Sequence, residues 1–180
     1  MERFEKFKEE ILARAKTAGA CRDQYSRALH AETLDALLDV VRDNFLWAVN
    51  NNVISGGFID KWKDEFAAGR IWHNCDVENG YLLATEGRFV ARGNSSVVAW
   101  DNSSVVAWGN SSVEARDNSS VEAWDNSSVV ARDNSYTISY DVIDCQLNEH
   151  AIHRIRKTNT IRYADKDMKF ELAENTGQHE

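Results

Sequence analysis

The chain has 180 residues, 43% of them hydrophobic, and a formal net charge of −8, enough to bury a core as one ordinary domain or two small ones. That negative balance argues against a nucleic-acid binder that works by neutralising phosphates. No run approaches the roughly 18 consecutive apolar residues of a membrane-spanning helix, and three widely spaced cysteines with no CxxC pair argue for reduced thiols rather than a disulfide framework.

Residues 1–80 read as a helical head of about three helices. From Glu2 to Ala18, Phe4, Phe7, Ile11, Leu12 and Ala15 make one apolar stripe on a 3.6-residue period, and Gly19 follows as a stop. The same stretch, "MERFEKFKEEILARAK", is too charged for a secretory signal. Glu32 to Asn50 carries a second stripe through Leu34, Leu37, Leu38, Val41, Phe45, Leu46 and Val49. Phe58 to Ala68 forms a third, with Phe58, Ile59, Trp62 and Phe66 on one side.

Residues 81–144 are built from octads that start at Phe89, Val97, Val105, Val113, Val121 and Val129, with a degraded copy at Thr137. Side chains alternate faces along a strand. The first position (Val), the third (always Ala) and the seventh (Ser) therefore share one face. They are small and nearly constant, so they form the inside. The second and fourth positions vary between Val and Glu, and between Trp and Arg, so they form the outside. Asp-Asn or Gly-Asn makes each corner, since Asn and Gly tolerate left-handed backbone. The five "NSS" triplets are then turn chemistry rather than glycosylation sites, and the absence of proline suits continuous backbone ladders.

Short strands with a corner every eight residues stack into a narrow parallel β-solenoid. Two octads per coil, giving 16-residue turns, suit an interior of Ala and Ser that leaves no volume for a wide core; three per coil is the alternative. Two per coil would stack Arg92, Trp108, Trp124 and Tyr140 on one face and Trp100, Arg116 and Arg132 on the other. It would also line Asp101, Asp117 and Asp133 along one edge. Residues 145–180 hold two further strands, "AIHRIR" and "NTIRYA", as a C-terminal β cap, followed by a charged tail. The fold class expected is thus α+β: a helical head, then a solenoid of octapeptide repeats, then the cap.

The residues expected to contact a protein partner are Trp100, Trp108, Trp124, Tyr140, Arg116 and Arg132, because aromatics and arginine are enriched at interface hot spots. Asp101, Asp117 and Asp133 form a candidate acidic edge that would face a basic surface, and turn chemistry explains the same residues. His73 with Cys75, and His150 with His153, lack zinc spacing and a full ligand set. No nucleophile, phosphate-loop or dinucleotide motif occurs. The expectation is a protein with no catalytic site, cofactor or metal, no direct nucleic-acid or membrane binding, and a tendency to self-associate through identical stacked strands.

The octads resemble the A-x-G/D-N-S-x-V-x repeats of small proteins from gut Bacteroidetes, their mobile elements and phages. "ILARAKTAGAC", residues 11–21, resembles the opening of small gut-phage proteins that include anti-CRISPR inhibitors. These resemblances imply a phage or mobile-element protein acting in the cytoplasm of a bacterial host. The partner they imply is a defence enzyme such as a CRISPR nuclease, blocked sterically or by an acidic surface. No inhibitory residue carries over, because the body of this chain is a solenoid. A structural, self-associating solenoid is the alternative function.

Overall fold

A computed structural model describes residues 2–171. Six helices come first: α1 (Glu2–Thr17), α2 (Arg22–Leu29), α3 (Leu34–Asp43), α4 (Phe45–Asn50), α5 (Gly56–Lys61) and α6 (Lys63–Ala68). Two of the three expected helices are broken once each. The second stops at Asn44, whose side-chain amide donates to the Val40 carbonyl at 2.7 Å and ends α3. The third stops at Trp62, whose φ of −112° and ψ of 38° are not helical. α2 was not expected, because it buries only Ala28 and so shows no stripe. In the head core, the Phe7 ring lies 5.2 to 6.2 Å from those of Phe58, Trp62 and Phe66.

Strands follow without interruption: β1 (Ile71–His73), β2 (Val77–Glu78), β3 (Tyr81–Ala84), β4 (Arg88–Arg92), β5 (Ser96–Ala99), β6 (Ser104–Ala107) and β7 (Ser112–Ala115). After these come β8 (Ser120–Ala123), β9 (Ser128–Ala131), β10 (Tyr136–Ser139), β11 (Asp144–Leu147), β12 (Ile152–Ile155) and β13 (Thr160–Tyr163). Odd strands β1 to β11 form one parallel sheet, here sheet A. Even strands β2 to β12 form a second, sheet B, to which β13 adds antiparallel. Alternation between two sheets means two octads per coil, and the fold is a parallel β-solenoid of about five turns. The early coils are shorter, pairing Ile71 with Tyr81 and Tyr81 with Ser96. From Ser96 onward like octad positions pair: Ser96 with Ser112, Val105 with Val121, Ala115 with Ala131.

The interior is the expected one. Val97, Ala99, Val105, Ala107, Val113, Ala115, Val121, Ala123, Val129 and Ala131 are all buried, as are the seventh-position serines from Ser95 to Ser135. The serines do not ladder with one another. Ser95 and Ser111 instead donate to the carbonyls of Arg92 and Trp108, three residues back, at 2.6 and 2.8 Å. The asparagines do ladder on one corner, Asn126 donating to Asn110 and Asn110 to Asn94.

The left-handed residue of each corner is the first of the pair, not the asparagine. Asp101, Asp117, Asp125 and Asp133 have φ between 53° and 56°, and Gly93 and Gly109 occupy the same position. Aspartate is tolerated there because its carboxylate is used. That of Asp117 accepts the amide N–H of Asp101 at 3.3 Å, that of Asp133 the N–H of Asp117 at 3.1 Å, and that of Glu149 the N–H of Asp133 at 2.8 Å. The step is 16 residues each time, so each carboxylate clamps the coil before it.

At the far end the inward positions turn polar: Thr137, Ser139, Cys145 and His153 replace Val and Ala. His153 is fully buried, and its Nε2 lies 2.8 Å from Ser139 Oγ. The Ser139 hydroxyl hydrogen is committed to the Asp141 carbonyl at 2.6 Å, so Nε2 is the donor and Nδ1 is left without a partner in the chain. Burial, and then the nearby Arg162 guanidinium, hold the His153 pKa below its usual value.

Two stability tests follow from this interior. Ala107→Leu adds volume at a fully buried position of the solenoid core and should cost about 1–3 kcal/mol in urea unfolding. For His153 the depressed folded pKa means that, below about pH 6.5, the unfolded chain binds a proton that the folded one refuses. Stability should therefore fall with acidification through that value. His153→Leu should flatten this limb when urea midpoints at about pH 5 and pH 7.5 are compared with the parent's.

Candidate functional site

The head decides which solenoid face is free. Ile71, Leu83 and Val98, on the outer side of sheet A, belong to the same buried core as Phe7, Leu37, Phe45 and Phe58 of the helices. Phe45 meets Tyr81 edge to face, with centroids 5.2 Å apart. His73 adds a polar latch: its Nδ1 lies 3.1 Å from both Asp60 carboxylate oxygens on α5, and its Nε2 lies 3.1 Å from Thr85 Oγ1. Asn74 also donates to that hydroxyl at 3.1 Å. Thr85 is thus a knot joining two coils to the head.

Three of the six expected contact residues lie on this covered side. Trp100 packs against the head core with its indole N–H buried. Arg116 binds Glu114 Oε1 through Nε at 2.8 Å and Nη2 at 2.5 Å, and Arg132 Nε lies 3.4 Å from the same oxygen. Glu114 is only 9% exposed, so both arginines are occupied in neutralising a carboxylate on the outer side of sheet A. The acidic edge of Asp101, Asp117 and Asp133 runs along the corner described above, where the carboxylates of Asp117 and Asp133 each hold the turn amide of the preceding coil.

Trp108, Trp124 and Tyr140 come together on the outer face of sheet B, away from the head. Their register follows from Ala107 pairing with Ala123 and Ala123 with Ser139. The two indoles stack at 5.0 Å with planes 4° apart. Each covers one face of the other, which leaves edges and the outer two faces to solvent. Tyr140 is 51% exposed, and the Lys157 ammonium lies 6.0 Å from its ring centroid. The row continues to Arg92 on one side and Arg156 on the other.

More residues share this face than the octads suggested. Val106, Ile138 and Ile152 point the same way from β6, β10 and β12, with Tyr136 beside them and Ile161 and Tyr163 added by β13. Tyr136, Ile161 and Tyr163 are exposed, and Tyr163 carries the Phe170 ring at 5.1 Å. Tyr136 and Ile138 were legible as the degraded octad at Thr137. The β13 residues were not, because an antiparallel return leaves no repeat. Charge on the face comes from Arg88, Arg92, Arg154 and Arg156, against Glu78 and Glu122. Glu122 lies 3.8 Å from Arg88 and 3.5 Å from Arg156.

No protein-family model, curated protein or solved structure matches the chain. The resemblance of residues 11–21 to anti-CRISPR proteins expected from the sequence finds no support there. Ile11, Leu12 and Ala15 of that stretch are buried in the head core, which explains their spacing by packing alone.

The cysteines are poor nucleophiles or lie apart from this face. Burial pushes the Cys145 thiol up to about 11, against a smaller opposing effect from Arg162. Burial and the neighbouring Asp76 raise Cys75, while Cys21 is exposed on the head. Among the described residues no group of three or more His, Cys, Asp or Glu side chains is placed to hold a metal ion. A thiol reagent at neutral pH should label Cys21 first and Cys145 only after denaturation, read by peptide mass spectrometry; early labelling of Cys145 would mean the last coil opens.

Proposed function

We propose that this protein is a non-enzymatic protein-binding module whose contact surface is the outer face of sheet B. The observation that carries the reading is the exposed aromatic and aliphatic patch formed by Trp108, Tyr136, Tyr140, Ile161 and Tyr163, with the Trp108–Trp124 stack in it and arginines at its border. Contiguous apolar surface of this kind on a rigid sheet is the usual mark of an interaction site, and aromatic and arginine side chains supply most hot-spot energy. The head supports the reading by packing on the first strands of sheet A and leaving sheet B open.

The finer reading is an inhibitor from a phage or mobile element that blocks a bacterial defence nuclease in the host cytoplasm. It rests on the resemblance of residues 11–21 and on the net charge of −8. The second reading is a structural protein that self-associates. One observation favours it: among the described residues β11 ends sheet A with no strand beyond it, and a free strand edge can pair with another copy.

The tests separate these readings. Trp108→Ser with Trp124→Ser should abolish capture of whatever protein the parent retains from bacterial lysate, while circular dichroism stays unchanged. Capture that survives both substitutions removes sheet B as the site. Recovery of a CRISPR nuclease would support the inhibitor reading. Concentration-dependent oligomers in sedimentation, with nothing else captured, would favour the structural one.

A further inference from the structure

We infer that the partner of the sheet B face is an extended protein segment with an apolar centre and acidic groups at both ends. This rests on the proposed role of that face as a contact surface and names the chemistry it selects. The fourth-position row reads Arg92, Trp108, Trp124, Tyr140, Arg156, one residue from each of β4, β6, β8, β10 and β12. Four strand spacings separate the two arginines, about 19 Å at the usual distance between strands. An extended chain covers that length in about six residues. Carboxylates placed that far apart would reach Arg92 and Arg156 while the residues between them lie along the indoles and Tyr140.

Charge points the same way. The chain as a whole is acidic, at −8, yet this face carries four arginines against two glutamates. No ion pair ties Arg92 or Arg154 among the described residues, and both are exposed. Paired charge of opposite sign steers association and fixes register more than it adds raw affinity.

A single-stranded nucleic acid fits this arrangement less well. Base stacking needs open aromatic faces, and Trp108 and Trp124 each give one of their two faces to the other. A phosphate chain also needs positive charge along its whole length. Here the cations Arg92 and Arg156 flank the aromatic residues, which are neutral, while Glu78 follows Arg92 on β2 and Glu122 sits beside the middle in the next row.

The test uses the full chain and three fluorescein-labelled probes. One is a peptide with a Phe-Ser-Leu-Ser-Phe core flanked by glutamate pairs, the second has lysine pairs in their place, and the third is an oligothymidylate. The glutamate peptide should bind in fluorescence anisotropy and weaken as salt rises. Arg92→Ala with Arg156→Ala should weaken it about tenfold or more, and Trp108→Ser with Trp124→Ser should abolish it. Equal binding of the lysine peptide, or insensitivity to the arginine substitutions with tryptophan dependence retained, would overturn the acidic-partner inference and leave the face as a contact surface. Preference for the oligothymidylate would replace it with nucleic-acid binding. No peptide binding, together with lysate capture that ignores the tryptophans, would remove the face altogether.

Discussion

Everything in the body of this protein depends on like residues stacking on like at a 16-residue step. From Val113 to Ala131 each inward Val or Ala sits on the Val or Ala of the coil before it, and the strand backbones pair one coil apart. With only two small residues per strand facing inward, the two sheets lie close together. In the octad coils the core is therefore a thin column filled by Val and Ala. Rigidity comes from this repetition, and the outward positions are left free to vary because nothing inside depends on them.

The corners show how the same repetition handles strain. A left-handed residue is needed once per octad, and glycine or aspartate takes the place. Aspartate brings a compensation that glycine cannot, since its carboxylate accepts the turn amide of the neighbouring coil. The row of aspartates is then a structural seam first, and its negative charge accompanies that role. Proline is excluded from this position by its fixed negative φ and from the strands by its missing N–H, which accounts for its absence from the described coils.

The head and the C-terminal strands act on the solenoid in different ways. The helices extend the hydrophobic core onto the outer side of sheet A, converting Val98 and Trp100 from surface residues into packing residues. At the other end, β13 turns back on β12 and closes sheet B while sheet A stops at β11. The two sheets, chemically alike as octads, are made unequal by what flanks them. The aromatic ladder is a surface on sheet B only because no helix lies over it.

Much of this was determined by the sequence alone. The eight-residue period, the constant Ala at its third position and the small buried set dictate a narrow solenoid, its inside and outside, and the alignment of Trp108, Trp124 and Tyr140, because a strand alternates faces and a parallel stack repeats its register. Only the tertiary structure decided that Trp100 packs against the head, while the row that Arg92 begins stays free and is extended by Arg156. Which face a helical domain covers depends on contacts between residues far apart in the chain, such as Phe45 with Tyr81 and Asp60 with His73, and these leave no periodic trace. The addition of Ile161 and Tyr163 to the patch was hidden for the same reason: an antiparallel return is set by what β12 offers as an edge, not by a repeat the strand itself carries.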